Sequence, residues 1–131
     1  MVLSQFGSIF KFALQLEEKL AEFYEQASEE DKVNAEEFAR RAKACRIRKR
    51  KLEESRRLNV TEMILEPIEG LDESDYQLDL ILTPEAINAI EETASRFYAD
   101  AGPKINVLEA RRIFKLCQKG HSKLDKIASD S

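Results

Sequence analysis

The sequence holds few of the residues that break regular backbone, with four glycines and three prolines in 131 residues. An all-β domain needs more turn residues and fewer long charged side chains, so this scarcity points to a helix-rich chain. Cysteine is limited to Cys45 and Cys117, far apart and without a short-spaced metal motif, and histidine to His121. Such a chain is not a disulfide scaffold. It has no glycine-rich phosphate loop, no nucleophile elbow and no HExxH, so the common nucleotide, hydrolase and zinc-protease chemistries have no anchor. Long apolar runs are missing too. The stretch after Met1–Phe6 has no positive flank and is broken by Lys11, Gln15 and Glu17. It reads as neither a secretory signal nor a membrane span, and a cytoplasmic location is the default expectation.

What is present is a chain 43% hydrophobic and 35% charged, with a net charge of −4. Its length suits one domain with one real core, expected over residues 1–131. The negative sum argues against general nucleic-acid binding. The distribution of charge is more informative than its sum. Between Arg40 and Lys51 lie eight basic residues and no acidic one; between Leu58 and Thr83 lie seven acidic residues and no basic one. The expectation is that the two segments compensate each other, within the fold or across a dimer.

Apolar periodicity divides the chain into four helices. The first is expected from about Ser4 to Ala27, with Ile9, Ala13, Leu16, Leu20, Phe23 and Ala27 on one face. Ser28-Glu29-Glu30-Asp31 offers a cap for a second helix reaching about Arg57, with Phe38, Ala42, Cys45 and Leu52 inward. Residues 58–82 lack a helical period and contain Pro67, Gly70 and β-formers. A connection of that length normally has a purpose, and here it can return the chain along the bundle. Thr83-Pro84-Glu85 is a helix start, a capping hydroxyl followed by proline. The third helix carries Ile87, Ile90, Ala94 and either Phe97 or Tyr98, and stops at Gly102-Pro103. Asn106-Val107-Leu108-Glu109 resembles a capping box. The fourth helix then turns Val107, Ala110, Phe114, Cys117, His121 and Leu124 inward, with Gly120 as a weak point that marks close packing or a kink. The plan is two helical hairpins, 4–57 and 83–130, joined by a crossover.

The hairpins are related. Glu17–Tyr24 and Glu91–Tyr98 share the pattern EExxxxFY. Ala39-Arg40-Arg41 precedes Cys45 and Lys51-Leu52, as Ala110-Arg111-Arg112 precedes Cys117 and Lys123-Leu124, with the same Cys-to-Lys-Leu spacing. This organisation resembles the rubrerythrin-type branch of the ferritin-like superfamily, over nearly the whole chain outside the crossover. The resemblance implies an all-α, ferritin-like four-helix bundle with one long crossover between helices 2 and 3. In that family a Glu on the first and third helices, six residues before an FY pair, reaches the bundle centre, and Glu-x-x-His on the second and fourth completes a di-iron site. Glu17 and Glu91 match the first pair. On the second helix Cys45 stands where the Glu belongs and Arg48 where the His belongs. On the fourth, aligning the cysteines gives Cys117 and Gly120, whereas aligning Phe114 gives His121 and Leu124. Four of the six expected ligands are absent.

Two carboxylates and a guanidinium cannot bridge two iron ions, and Arg48 reads as a positive charge that neutralises Glu17 or Glu91, with Lys49 as a second candidate. Cys45 and Cys117, at equivalent places in the repeats, are candidates for a mixed Cys/Glu site for zinc or a redox-sensitive thiol pair. The plainer reading makes them small core hydrophobes. His121 is a candidate ligand or proton donor, and the hydroxyls of Tyr24 and Tyr98 are expected to find polar partners. The run Arg46–Lys51 lacks interleaved aromatics, which favours a self-neutralised face over phosphate binding. The expected function is therefore a degenerate bundle acting as an assembly or protein-interaction module without a cofactor, and the resemblance implies that it pairs as a homodimer. Met63, Ile64, Leu65, Leu78, Leu80 and Ile81 of the crossover are candidates to pack on a partner or on the bundle. The alternatives are an iron- or zinc-dependent oxidoreductase or metal store using Glu17, Cys45, Glu91, Cys117 and His121, or a binder of acidic partners through the basic helix.

Overall fold

The computed structural model describes residues 3, 6–58 and 70–128. Among these are four α-helices and no sheet: α1 (Phe6–Glu30), α2 (Ala35–Leu58), α3 (Pro84–Ala101) and α4 (Leu108–Ser122). None is long and apolar enough to cross a membrane. The apolar stripes read from the sequence form the core. Phe10, Phe38, Phe97 and Phe114 are fully buried beside Leu20, Leu52 and Ile87, each worth about 1.5–3 kcal/mol relative to an exposed side chain. Phe10, Phe97, Tyr98 and Phe114 meet at ring-centroid distances of 5.1–6.1 Å in tilted and edge-on arrangements that suit aromatic quadrupoles.

Local chemistry sets the helix ends, with three departures from expectation. Thr83 caps α3 as its sequence suggests, its hydroxyl accepting from the Ala86 N–H at 3.2 Å. Ser28, Glu29 and Glu30, by contrast, belong to the last turn of α1. Asp31 alone makes the turn, its carboxylate accepting from the Val33 and Asn34 N–H groups. Gly102 ends α3 as its sequence suggests, standing at the C-cap, and a separate 3-10 turn follows over Gly102–Lys104. The capping box before α4 does not form: Val107 occupies the cap and no side chain accepts there. Helix α4 is also shorter than the expected hairpin, so Leu124 lies beyond it.

The described part of the crossover follows α1 from its beginning to its end. The Leu3 N–H donates to the Leu71 carbonyl at 2.9 Å. Tyr76, in a 3-10 turn (Glu73–Tyr76), then packs on Phe12 and Phe97 and donates to Asp100 at 2.7 Å. Leu78 and Leu82 cover the core, while Leu80 and Ile81 remain 41% and 49% exposed. Met63, Ile64 and Leu65 lie outside the described residues. This path delivers α3 antiparallel to α1, with α2 beside α1 and α4 packed on both α2 and α3.

A buried charge cluster as the candidate functional site

Residues seven apart lie on one helix face, two turns from each other. Glu17 and Tyr24 on α1, and Glu91 and Tyr98 on α3, have that spacing, and the two helices run in opposite directions. Each tyrosine therefore meets the glutamate of the other repeat. Tyr98 donates to Glu17 Oε2 at 2.6 Å, and Tyr24 donates to Glu91 Oε1 at 2.6 Å. His121 of α4 stands between the carboxylates, with Nε2 2.9 Å from Glu17 Oε2 and Nδ1 2.5 Å from Glu91 Oε2. Its ring stacks on Tyr98 at 5.8 Å and 11°. From α2, Arg48 Nε donates to Glu17 Oε1 at 3.0 Å. All four carboxylate oxygens thus accept a proton from a side chain of another helix.

The electrostatics follow from this geometry. Burial pushes the Glu17 carboxyl up, but His121, Arg48 and Tyr98 outweigh it and bring the pKa down to about 2. Glu91 is lowered in the same way, burial being outweighed by His121, Tyr24 and Arg41. Burial disfavours the charged imidazole, yet Glu17 and Glu91 overcome it and raise His121 to about 9. With both ring nitrogens facing carboxylate oxygens, the histidine is an imidazolium that donates twice. Two carboxylates are balanced by one imidazolium and one guanidinium, so the centre closes at zero charge. That closure is what makes a cluster with Glu17 0%, His121 2% and Glu91 7% exposed tolerable.

A second ring of contacts steadies the first. Buried Arg41 donates to Tyr24 Oη at 3.3 Å, to Glu37 at 2.7 Å and to the Asp125 carbonyl at 2.8 Å. Asn88 exchanges two hydrogen bonds with the Ile127 backbone, at 3.0 and 2.8 Å. Residues 124–126 thereby form one wall of a cleft of about 450 Å³ whose floor includes Arg41, Glu91 and His121.

The fourth-helix register is that which puts His121, and not Gly120, at the centre. Gly120 instead admits Arg48. Lys49 does not serve the centre: it pairs with Glu18 at 2.9 Å, because its place on α2 turns it towards the outer edge of α1. The basic run is not neutralised by the described crossover either. Arg46 bonds Glu18 and Glu25, and Lys49 bonds Glu18 and Glu53, so the compensating acids come mainly from α1. Both cysteines are buried free thiols. Cys45 Sγ accepts from Arg48 Nη2 at 3.1 Å. Burial and the Glu17 charge push the Cys45 thiol well up, and the same causes raise Cys117 to about 12. Both thiols are therefore held in the protonated form near neutral pH. Among the described residues, no group of three or more His, Cys, Asp and Glu side chains is arranged to hold a metal ion. Arg41 was not among the expected site residues. Its signal was available: it stands seven before Arg48, on the stripe of Phe38 and Cys45.

Fold and centre define a class, an all-helical four-helix bundle with a closed, charge-balanced polar core. Comparison with known protein families, with curated proteins and with solved structures finds no match for the chain.

Proposed function

We propose that the chain is a degenerate ferritin-like bundle of the rubrerythrin type, in which cationic side chains stand in for metal ions, and that it works as an assembly module. The observation that carries this reading is the occupancy of the four Glu17 and Glu91 oxygens by Arg48, Tyr98, Tyr24 and His121. A divalent metal would need those lone pairs and an unprotonated imidazole nitrogen. Here imidazolium and guanidinium already deliver two positive charges to the same carboxylates. A bundle with its centre filled in this way keeps the scaffold's rigidity and offers no open coordination position for redox work. Reducing conditions such as those of the cytoplasm suit its two free thiols.

The test is elemental analysis of untagged protein purified without chelators and incubated anaerobically with iron or zinc, with ¹⁵N spectra of His121 recorded on the same samples. The expected result is no stoichiometric metal and two protonated ring nitrogens. Near-stoichiometric metal, accompanied by one unprotonated His121 nitrogen and lost on Glu17→Ala, would overturn the reading.

A further inference from the structure

The polarity of the buried centre extends to the whole bundle. Helix α2 contains ten Lys and Arg against four Asp and Glu, and α4 four against one. Helix α1 contains six acidic residues against two basic, and α3 four against one. The two basic helices are neighbours, in close approach at Arg48–Gly120, and Arg41 of α2 reaches the Asp125 carbonyl just beyond α4. The acidic pair is likewise joined, through the Glu–Tyr bonds, and its outer groove is covered by the crossover with Asp75 and Asp79. The molecule therefore has a basic layer and an acidic layer on opposite sides.

The basic side is only partly neutralised from within. Arg46 and Lys49, at the α1 edge, find acids. Lys43, Arg50, Lys51, Lys115 and Lys119 form no ion pair among the described residues. On α4 the outward face interleaves Arg112, Lys115 and Lys119 with Leu108 and Leu116, which are 70% and 51% exposed; on α2, Ile47 is 41% exposed and Leu58 68%. The acidic side has its own apolar pair, Leu80 and Ile81, next to Asp79. The chain thus carries two complementary surfaces, each with an excess of charge of one sign beside exposed aliphatic side chains.

We infer that the basic α2–α4 face of one copy docks on the acidic α1–α3 and crossover face of a second copy. This rests on the assembly reading above and names its partner. The two patches differ, so the contact is heterologous, and copies add one after another unless the rotation closes a ring. Opposed charge layers speed and orient the encounter, and the leucines supply apolar burial once the faces meet. Among the described residues, no aromatic side chain is found with the large exposed hydrophobics, which distinguishes this face from a base-stacking surface.

The experiment measures mass by light scattering and sedimentation over a concentration series, in about 0.05 M and about 0.5 M salt, which differ several-fold in screening length. The expected result is a mass that at least doubles with concentration at low salt and returns to that of the 15.1 kDa monomer at high salt. Lys115→Glu/Lys119→Glu and Asp75→Lys/Asp79→Lys, all at exposed positions, are each expected to be monomeric alone with unchanged helicity, and to associate when mixed. Wild-type protein that stays monomeric at low salt overturns the inference, as does association indifferent to salt or to both charge reversals. Binding to anionic vesicles or RNA by monomeric protein would assign the basic face another occupant and also overturn it. Metal content is read separately, so failure here leaves the proposed filled centre standing.

Discussion

Gly120 lies so close to Arg48 that a Cβ added to it would stand 2.9 Å from the guanidinium Nη1. Alanine within a helix normally gains up to about 1 kcal/mol over glycine, and Gly120 stands in the last turn of α4. Here Gly120→Ala is expected to lose about 1–3 kcal/mol instead, because it pushes Arg48 away from the buried Glu17 carboxylate. Urea denaturation checks the sign. In an Arg48→Met background the same substitution should turn neutral or stabilising; equal losses in both backgrounds would mean the glycine serves something other than the guanidinium.

The cluster sets a pH window for stability. His121 has a folded pKa of about 9 against 6.5, so its contribution is complete below pH 6.5 and disappears as pH rises towards 9. Glu17 has a folded pKa of about 2 against 4.5, so its contribution is complete above pH 4.5 and disappears as pH falls towards 2. The denaturation midpoint is expected to be highest between these limits and to decline on both sides. In His121→Gln the alkaline decline should vanish. A midpoint of the wild type flat from pH 6 to 9 would contradict the imidazolium.

Removing His121 altogether leaves two carboxylates without the cation between them. His121→Phe is expected to cost about 3–5 kcal/mol at neutral pH, as for a broken buried ion pair. Since protonation of one carboxylate relieves the imbalance, the deficit relative to wild type should shrink on acidification. A deficit that is independent of pH would assign the loss to packing alone.

The crossed Tyr–Glu bonds predict matched effects in the two repeats. Tyr24→Phe and Tyr98→Phe should each destabilise by about 1.5–3 kcal/mol, the range for a hydrogen bond to a charged group. In Tyr98→Phe the acid limb of the pH profile should move upward, because Glu17 loses a donor. Thermal or urea unfolding of the two variants across pH checks both points.

Cys45 and Cys117 are expected to resist thiol reagents in the native state at pH 8 and to react once the chain is unfolded, since the buried, raised thiols supply little thiolate. Rapid modification of either in folded protein would contradict the placement.

Much of the scaffold was legible in the sequence, and so was part of the centre. The stripe Ile9, Ala13, Leu16, Leu20 and the start at Thr83-Pro84 encode local periodicity and capping, which depend only on neighbours in the chain. The EExxxxFY repeat identified Glu17 and Glu91, and the tyrosines were expected to bond a polar group. The identity of that group was hidden, because it sits 81 residues away for Tyr98 and 67 for Tyr24. Lys49 and the capping box at Asn106 misled for a related reason: residue type and spacing were suitable, but side-chain direction was set by helix rotation against α1 and by the turn at Gly102–Lys104.

The sequence by itself determined four helices, a long connection and two related hairpins, since each follows from the pattern of apolar, capping and turn residues along the chain. Only the tertiary structure decided which charges meet. The choice of Arg48 over Lys49, of His121 over Gly120, and of α1 over the described crossover as the partner of the basic run depends on helix rotation and axial register. Differences of a single residue in that register turn a buried ion pair into an exposed side chain.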